Sequence, residues 1–111
     1  MAENQSPFLL VKTVETQLVS VLSALDVYAL PMAQQKVVAQ LRRDIVDLRL
    51  DTRDYELSET REEQLRKAHE AGARLTMVRS GILKASEYDI FGAVDVALLS
   101  AKLERVQEFI I

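Results

Sequence analysis

The sequence predicts an all-α protein, folded as a single-domain antiparallel four-helix bundle in up-down-up-down order. Of its 111 residues, 49% are apolar and 28% are charged, which is the composition of a globular chain. Only three glycines and two prolines occur, so long uninterrupted helices fit better than a turn-rich β fold. Apolar residues recur every three or four positions, the period of an amphipathic helix.

The first helix is expected to cover about residues 7–30. Ser6 is a typical N-cap, and Pro7 stands at the first helical position, which proline favours. Pro31 is expected to end the helix, because the residue before a proline is pushed out of helical geometry. The predicted buried stripe consists of Val11, Val14, Leu18, Val21, Leu25 and Tyr28, widened by Leu10, Leu22 and Ala29.

The second helix, about residues 32–56, must turn back antiparallel because almost no loop precedes it. Its expected buried side consists of Val38, Leu41, Ile45, Leu48, Thr52 and Tyr55. Its other side carries a ladder of aspartates at positions 44, 47, 51 and 54. Arginines are interleaved with these aspartates, so we interpret the ladder as a solvated charged face and not as a cation site.

The third helix is expected over about residues 60–85, after a turn near Glu56 to Glu59. Thr60 followed by Glu63 is a capping box, which marks a helix start. The expected buried stripe is Leu65, Ala68, Gly72, Leu75, Val78 and Ile82. The alternative is a long helical hairpin in which the second and third helices are continuous and dimerisation completes the bundle. The turn is favoured because the apolar phase slips between the two stripes.

The last helix is expected over about residues 89–111. Asp89 is the predicted N-cap, with Tyr88 packing onto Ala93 as a hydrophobic staple. One apolar stripe runs the whole length of this helix and is assigned to the core. It consists of Val96, Leu99, Leu103, Val106 and Ile110.

A second apolar stripe covers only the first half of the last helix, at Phe91, Val94, Leu98 and Ala101. A helix with two apolar stripes needs something besides its own core to cover the second one. We therefore predict a partner-binding surface there, and assign Val46 and Leu50 of the second helix to the same surface. Two alternatives remain: the segment with Phe8 and Leu9, or a neighbouring helix, folds over the stripe, or the helix is central enough to be buried on two sides.

No group of residues predicts catalysis, a cofactor or a metal. His69 is the only histidine, and the Glu-x-x-His spacing of di-iron bundles would need a glutamate where Arg66 stands. Cysteine is absent, so disulfides and thiolate metal sites are excluded. We expect a protein that is not an enzyme.

The predicted function is a non-enzymatic protein–protein interaction module, such as an adaptor, a regulator or a small chaperone. It would be a homodimer through the second stripe, with a further, unidentified protein partner. The alternative is a nucleic-acid-associated helical bundle that uses the basic residues of the third helix. These are Arg66, Lys67, Arg74 and Lys84, with His69 nearby.

The charge balance and the N-terminus bear on location and partners. A net charge of −3 and a pI of about 5.2 argue against a general binder of nucleic acid or anionic membranes. The first five residues lack the basic start of a signal peptide. Lys12, Glu15 and Asp26 interrupt the apolar run of the first helix, which a membrane-spanning helix would not tolerate. A cytoplasmic location is expected.

Overall fold

The computed structural model describes residues 6–110, which form four α-helices and contain no strand. The helices are α1 (Pro7–Ser23), α2 (Met32–Glu56), α3 (Arg61–Glu87) and α4 (Ala93–Phe109). The all-α four-helix prediction is confirmed. A continuous second and third helix is ruled out, because α2 ends at Glu56 and Thr60 caps α3 by accepting the backbone N–H of Glu63.

The polar contacts between neighbouring helices show that α2 runs antiparallel to both α1 and α3. Between α1 and α2, the backbone N–H of Phe8 donates to Glu56 (2.7 Å), and Glu15 pairs with Arg49 (3.4 Å). Residue numbers therefore rise along α1 as they fall along α2. Between α2 and α3 the same reversal holds for Asp54 with Lys67 and for Asp47 with Arg74.

Each helix packs against two neighbours, so the helices follow one another around the bundle in chain order. Among the described helices, α2 and α4 lie diagonally and touch at one end, where the Tyr55 hydroxyl donates to the carbonyl of Phe109 (3.0 Å). The predicted inner stripes of α2 and α4 lie in or against the core, together with the observed buried sides of α1 and α3. Burial of these side chains is the main source of stability.

The helix α1 ends at Ser23, not at the predicted residue 30. The backbone N–H of Leu25 already bonds back to Leu22 in a tighter turn, and Asp26 leaves the helical region. A short 3-10 helix, Val27–Ala29, then leads to α2. Tyr28 was predicted to be buried and is 92% exposed, because the chain beyond Ser23 no longer follows the inner face of α1.

The buried face of α3 is rotated from the predicted one towards α2, its most extensive neighbour. Ala71 is fully buried where Gly72 was expected, and Leu65 is 52% exposed. The observed stripe is Ala71, Leu75, Val78, Ile82 and Ala85. On the facing side of α2, Asp44 was assigned to the solvated face and is buried.

Asp89 does not cap α4; it ends α3. Its φ of +59° places it in the left-handed region. The backbone N–H of Asp89 bonds to the carbonyl of Ser86 (3.0 Å) and that of Ile90 to the carbonyl of Ala85 (3.0 Å). These two bonds form a Schellman motif. The N-cap of α4 is Gly92, and Tyr88 is the C-cap of α3, not a staple onto α4. The predicted last residue, Ile111, lies outside the described residues.

Candidate interaction surfaces

In the first half of α4, the outward side is apolar and faces no other helix of residues 6–110. Val94 is 72% exposed and Leu98 is 48% exposed, and Ala101 is exposed beside them. Ala93 and Ala97 are exposed on the same side. We call these five residues the α4 outer face. Val94 and Leu98 form a ridge along it, and the three alanines, four residues apart, form a shallow furrow next to that ridge.

The structure separates the residues that the sequence had grouped into one partner surface. Phe91 is 3% exposed, because the Schellman turn directs Ile90 and Phe91 into the core before α4 begins. Val46 is half-buried and Leu50 is 45% exposed, but both lie on α2, diagonally across the bundle from α4. Of the six predicted residues, three belong to the α4 outer face.

Phe8 and Leu9 do not cover the α4 outer face. Phe8 lies beside the end of α2, where its backbone N–H bonds to Glu56, and Leu9 is 51% exposed. This end of α1 is next to the C-terminal end of α4, as the contact of Tyr55 with Phe109 shows. Within residues 6–110, Val94 and Leu98 therefore remain open.

A second candidate surface, which sequence reasoning missed, is a groove of about 680 Å³ between α2 and α3. Val37, Leu41 and Met77 contribute its apolar lining, and Lys36 and Lys84 line it from opposite helices. We call it the α2–α3 groove. No pattern in the sequence predicted this groove, because residues of two different helices line it.

Gly81 lies against the Leu41 side chain at the base of the groove. A Cβ added at Gly81 would lie 3.0 Å from Cδ1 of Leu41, which is closer than ordinary carbon–carbon contact. Both Gly81 and Leu41 form part of the groove lining. Gly72, which the sequence had placed in the core, has open space where its Cβ would be.

A cluster of charges holds α2 against α3 beside the groove. Arg74 lies 3.8 Å from Asp44, 3.5 Å from Asp47 and 3.5 Å from Asp51. Asp44 also accepts a hydrogen bond of 2.9 Å from the amide of Gln40, which satisfies a buried carboxylate. Burial raises the pKa of Asp51 above its ordinary value, and the opposing attraction of Arg74 does not fully cancel this. The aspartate ladder is thus partly structural and not only a solvated face.

The described residues do not assemble a metal site. No group of three or more His, Cys, Asp or Glu side chains in residues 6–110 is arranged to hold a metal ion. His69 is exposed on α3, and it lines a shallow depression with Leu65, Gly72 and Ile110. These neighbours offer no acid–base partner for it.

Carboxylates already engage two of the four basic residues on α3. Arg74 lies in its aspartate cluster, and Lys67 contacts Asp54 (3.8 Å) and Glu70 (3.3 Å). Arg66 and Lys84 form no ion pair with a described residue. The structure therefore does not bring the basic set together as one positive patch.

No helix among residues 6–110 has both the length and the apolar character needed to cross a membrane. In comparisons with known proteins, no family model, no curated protein and no solved structure matches this chain.

Proposed function

We propose that this protein is a protein–protein interaction module that forms a homodimer through the α4 outer face. The observation that carries the proposal is the exposure of Val94 and Leu98 on a helix whose opposite side already fills the core. Contiguous exposed apolar side chains commonly mark partner sites. In this proposal the protein acts without catalysis, as an adaptor, a regulator or a small chaperone in the cytoplasm.

The ridge and the furrow of the α4 outer face favour a second copy as its partner. Two copies related by a two-fold axis present the same surface to each other. In an antiparallel pairing, the ridge of Val94 and Leu98 in one copy fits the furrow of Ala93, Ala97 and Ala101 in the other. Alanines allow the two helices to approach closely, as ridge-into-groove packing requires.

The expected dimer is weak and reversible. Fully burying a Val or Leu side chain contributes about 1.5–3 kcal/mol, and both residues are already partly covered. Association also costs about 4–15 kcal/mol of lost motional freedom. A face of five residues therefore supports a weak dimer, with a dissociation constant of roughly hundreds of micromolar at the tightest.

Sedimentation equilibrium of the wild type, from about 10 µM to about 1 mM, tests the proposal. The mass should rise from monomer towards dimer across this range. Leu98→Glu should keep the chain monomeric, because it places a charge in the apolar contact. Leu50→Glu is the matched control: Leu50 is 45% exposed, close to the 48% of Leu98, but it lies on α2.

Three outcomes would overturn the proposed dimer. One is a monomeric wild type at every concentration, and another is a dimer that Leu98→Glu leaves intact. A dimer that Leu50→Glu disrupts instead would place the interface on α2. The nucleic-acid alternative has less support, because Lys67 and Arg74 are engaged by carboxylates.

A further inference from the structure

We propose that the α2–α3 groove binds one amphipathic helix of a partner protein, with acidic residues on both flanks of the apolar stripe of that helix. The acidic flanks would pair with Lys36 and Lys84, and the apolar stripe would contact Val37, Leu41 and Met77. The site lies on α2 and α3, so it does not depend on dimerisation through α4.

The dimensions of the groove match a short helix. Its α2 wall extends from Ala33 to Asp44, which is roughly 16 Å at 1.5 Å per residue. About three turns of a helix fit along that length and present apolar residues at i, i+3 or i+4 and i+7, the usual anchors of helix-in-groove recognition. The groove is open on its outward side, where Ala33 and Ser80 are exposed.

The lining of the groove suits an apolar stripe. Leu41 is fully buried beneath the groove and Val37 is half-buried, so the apolar lining reaches down to the core. Met77 is 45% exposed, and its flexible, polarisable side chain adapts to different apolar partners. Ser80 and Gly81 add little bulk, which leaves room for side chains of the partner.

The charges at the edges favour acidic flanks. Lys36 and Lys84 line the groove from opposite helices. Gly81 of α3 faces Leu41 of α2, and the two helices are antiparallel. The two lysines therefore lie at nearly the same level along the groove. Neither lysine forms an ion pair with a carboxylate of residues 6–110.

The acidic end of the groove is already neutralised within the chain. Asp44 is satisfied there by Gln40 and lies 3.8 Å from Arg74. The charge left for a partner is therefore positive, and it stands at both edges. An occupant with an apolar centre and acidic residues on both sides complements that arrangement, since opposite charges at a rim set orientation and partner choice.

The test uses two synthetic helical peptides of roughly 15 residues, whose apolar stripe of about 12 residues has the length of the groove. Both carry leucines at i, i+3, i+4, i+7 and i+11; one has glutamates on the flanks of that stripe and the other has lysines. Binding of each labelled peptide to the full-length protein is followed by fluorescence anisotropy. The glutamate peptide should bind about tenfold more tightly, as two exposed ion pairs allow.

Variants of the protein locate the binding. Lys36→Glu combined with Lys84→Glu should reverse the preference between the two peptides, and Arg66→Glu, an exposed base of α3 outside the groove lining, should not. Ser80→Trp should abolish binding by filling the groove, whereas Ser20→Trp on the exposed side of α1 should not. Circular dichroism and thermal unfolding of each variant check that the fold is retained.

Failure of this proposal can be told apart from failure of the dimer. Leu98→Glu should leave peptide binding unchanged, because α4 contributes no residue to the groove. Equal binding of the two peptides, no binding up to about 1 mM, or no effect of the double lysine variant would each overturn the groove proposal. Tight dodecanoate binding that displaces the glutamate peptide and is lost in Ser80→Trp would reassign the groove to an anionic lipid.

Discussion

The two contacts that α3 makes, with α2 on one side and α4 on the other, are built differently. Towards α2, Arg74 meets three aspartates and one of them, Asp44, is buried. Towards α4, Arg79 meets Glu104 (3.6 Å) and Gln107 (3.1 Å) at an exposed edge. The polar contact between α2 and α3 thus includes a buried carboxylate, whereas the polar contact between α3 and α4 lies at an exposed edge. We therefore expect substitutions in the α2–α3 contact to lower the free energy of unfolding more than substitutions in the α3–α4 contact.

The same contrast appears within α4 itself, between its two sides. Leu103 is fully buried in the core, and Leu98 is 48% exposed on the outer face. The two leucines therefore differ in role. Leu103 stabilises the fold of the single chain, whereas the exposed side chain of Leu98 contributes little to it. These roles can be separated by substituting each leucine and measuring the free energy of unfolding and the association state of each variant independently.

The largest expected effect is on the inner side of α4. Leu103→Ala should lower the free energy of unfolding by about 2–5 kcal/mol, because it leaves a cavity in the core. Leu98→Ala should change it by less than about 0.5 kcal/mol at concentrations where the protein is monomeric. Urea denaturation of both variants at low protein concentration measures the difference. Equal losses would mean that Leu98 is covered within the chain.

A smaller loss in the free energy of unfolding is expected at the α2–α3 contact. Arg74→Met should lower the free energy of unfolding by about 1–3 kcal/mol, because Asp44 loses its nearest cation while it stays buried. The matched control is Arg79→Met on the α4 side of α3, which should cost less than about 1 kcal/mol, as exposed ion pairs do.

Adding Asp44→Asn to Arg74→Met should recover part of the loss, since it removes the buried charge. If Arg74→Met and Arg79→Met lower the free energy of unfolding equally, the α2–α3 contact is no more important for stability than the α3–α4 contact. A double-mutant cycle over Arg74 and Asp44 measures the coupling directly.

The smallest effect is expected at the link from α3 to α4. Asp89→Gly should raise the free energy of unfolding by about 0.5–1 kcal/mol, because glycine adopts a positive φ without steric cost. Asp26→Gly is the control in the other connector: the φ of Asp26 is −84°, so glycine there should bring no gain. Thermal unfolding of both variants checks this, and a loss on Asp89→Gly would count against the left-handed turn.

The parts of the fold that sequence predicted best are those set by neighbouring residues. The cap at Ser6, the cap at Thr60 and the turn before α3 were predicted from local chemistry, and the structure confirms them. The inner stripe of α2 was also predicted, because its heptad spacing allows only one buried side. The early end of α1 was missed, since no glycine or proline marks Ser23.

The candidate surfaces were predicted only in part. Val94, Leu98 and Ala101 were identified from their spacing, and they are exposed in the structure. Phe91 was misassigned because Asp89 fits an N-cap as well as it fits a left-handed C-terminal position; only the hydrogen bonds of Ser86 and Ala85 distinguish the two. The α2–α3 groove was not predicted at all.

By itself, the sequence determined that the chain folds into four amphipathic helices and where most of them begin. Helix periodicity and capping depend on residues a few positions apart, so they can be read along the chain. Only the tertiary structure decided that Asp44 is buried near Arg74, that Gly81 and Leu41 meet at the base of a groove, and that Leu98 is 48% exposed among residues 6–110. Each of these depends on which face of one helix meets another, and many distant contacts set that orientation together.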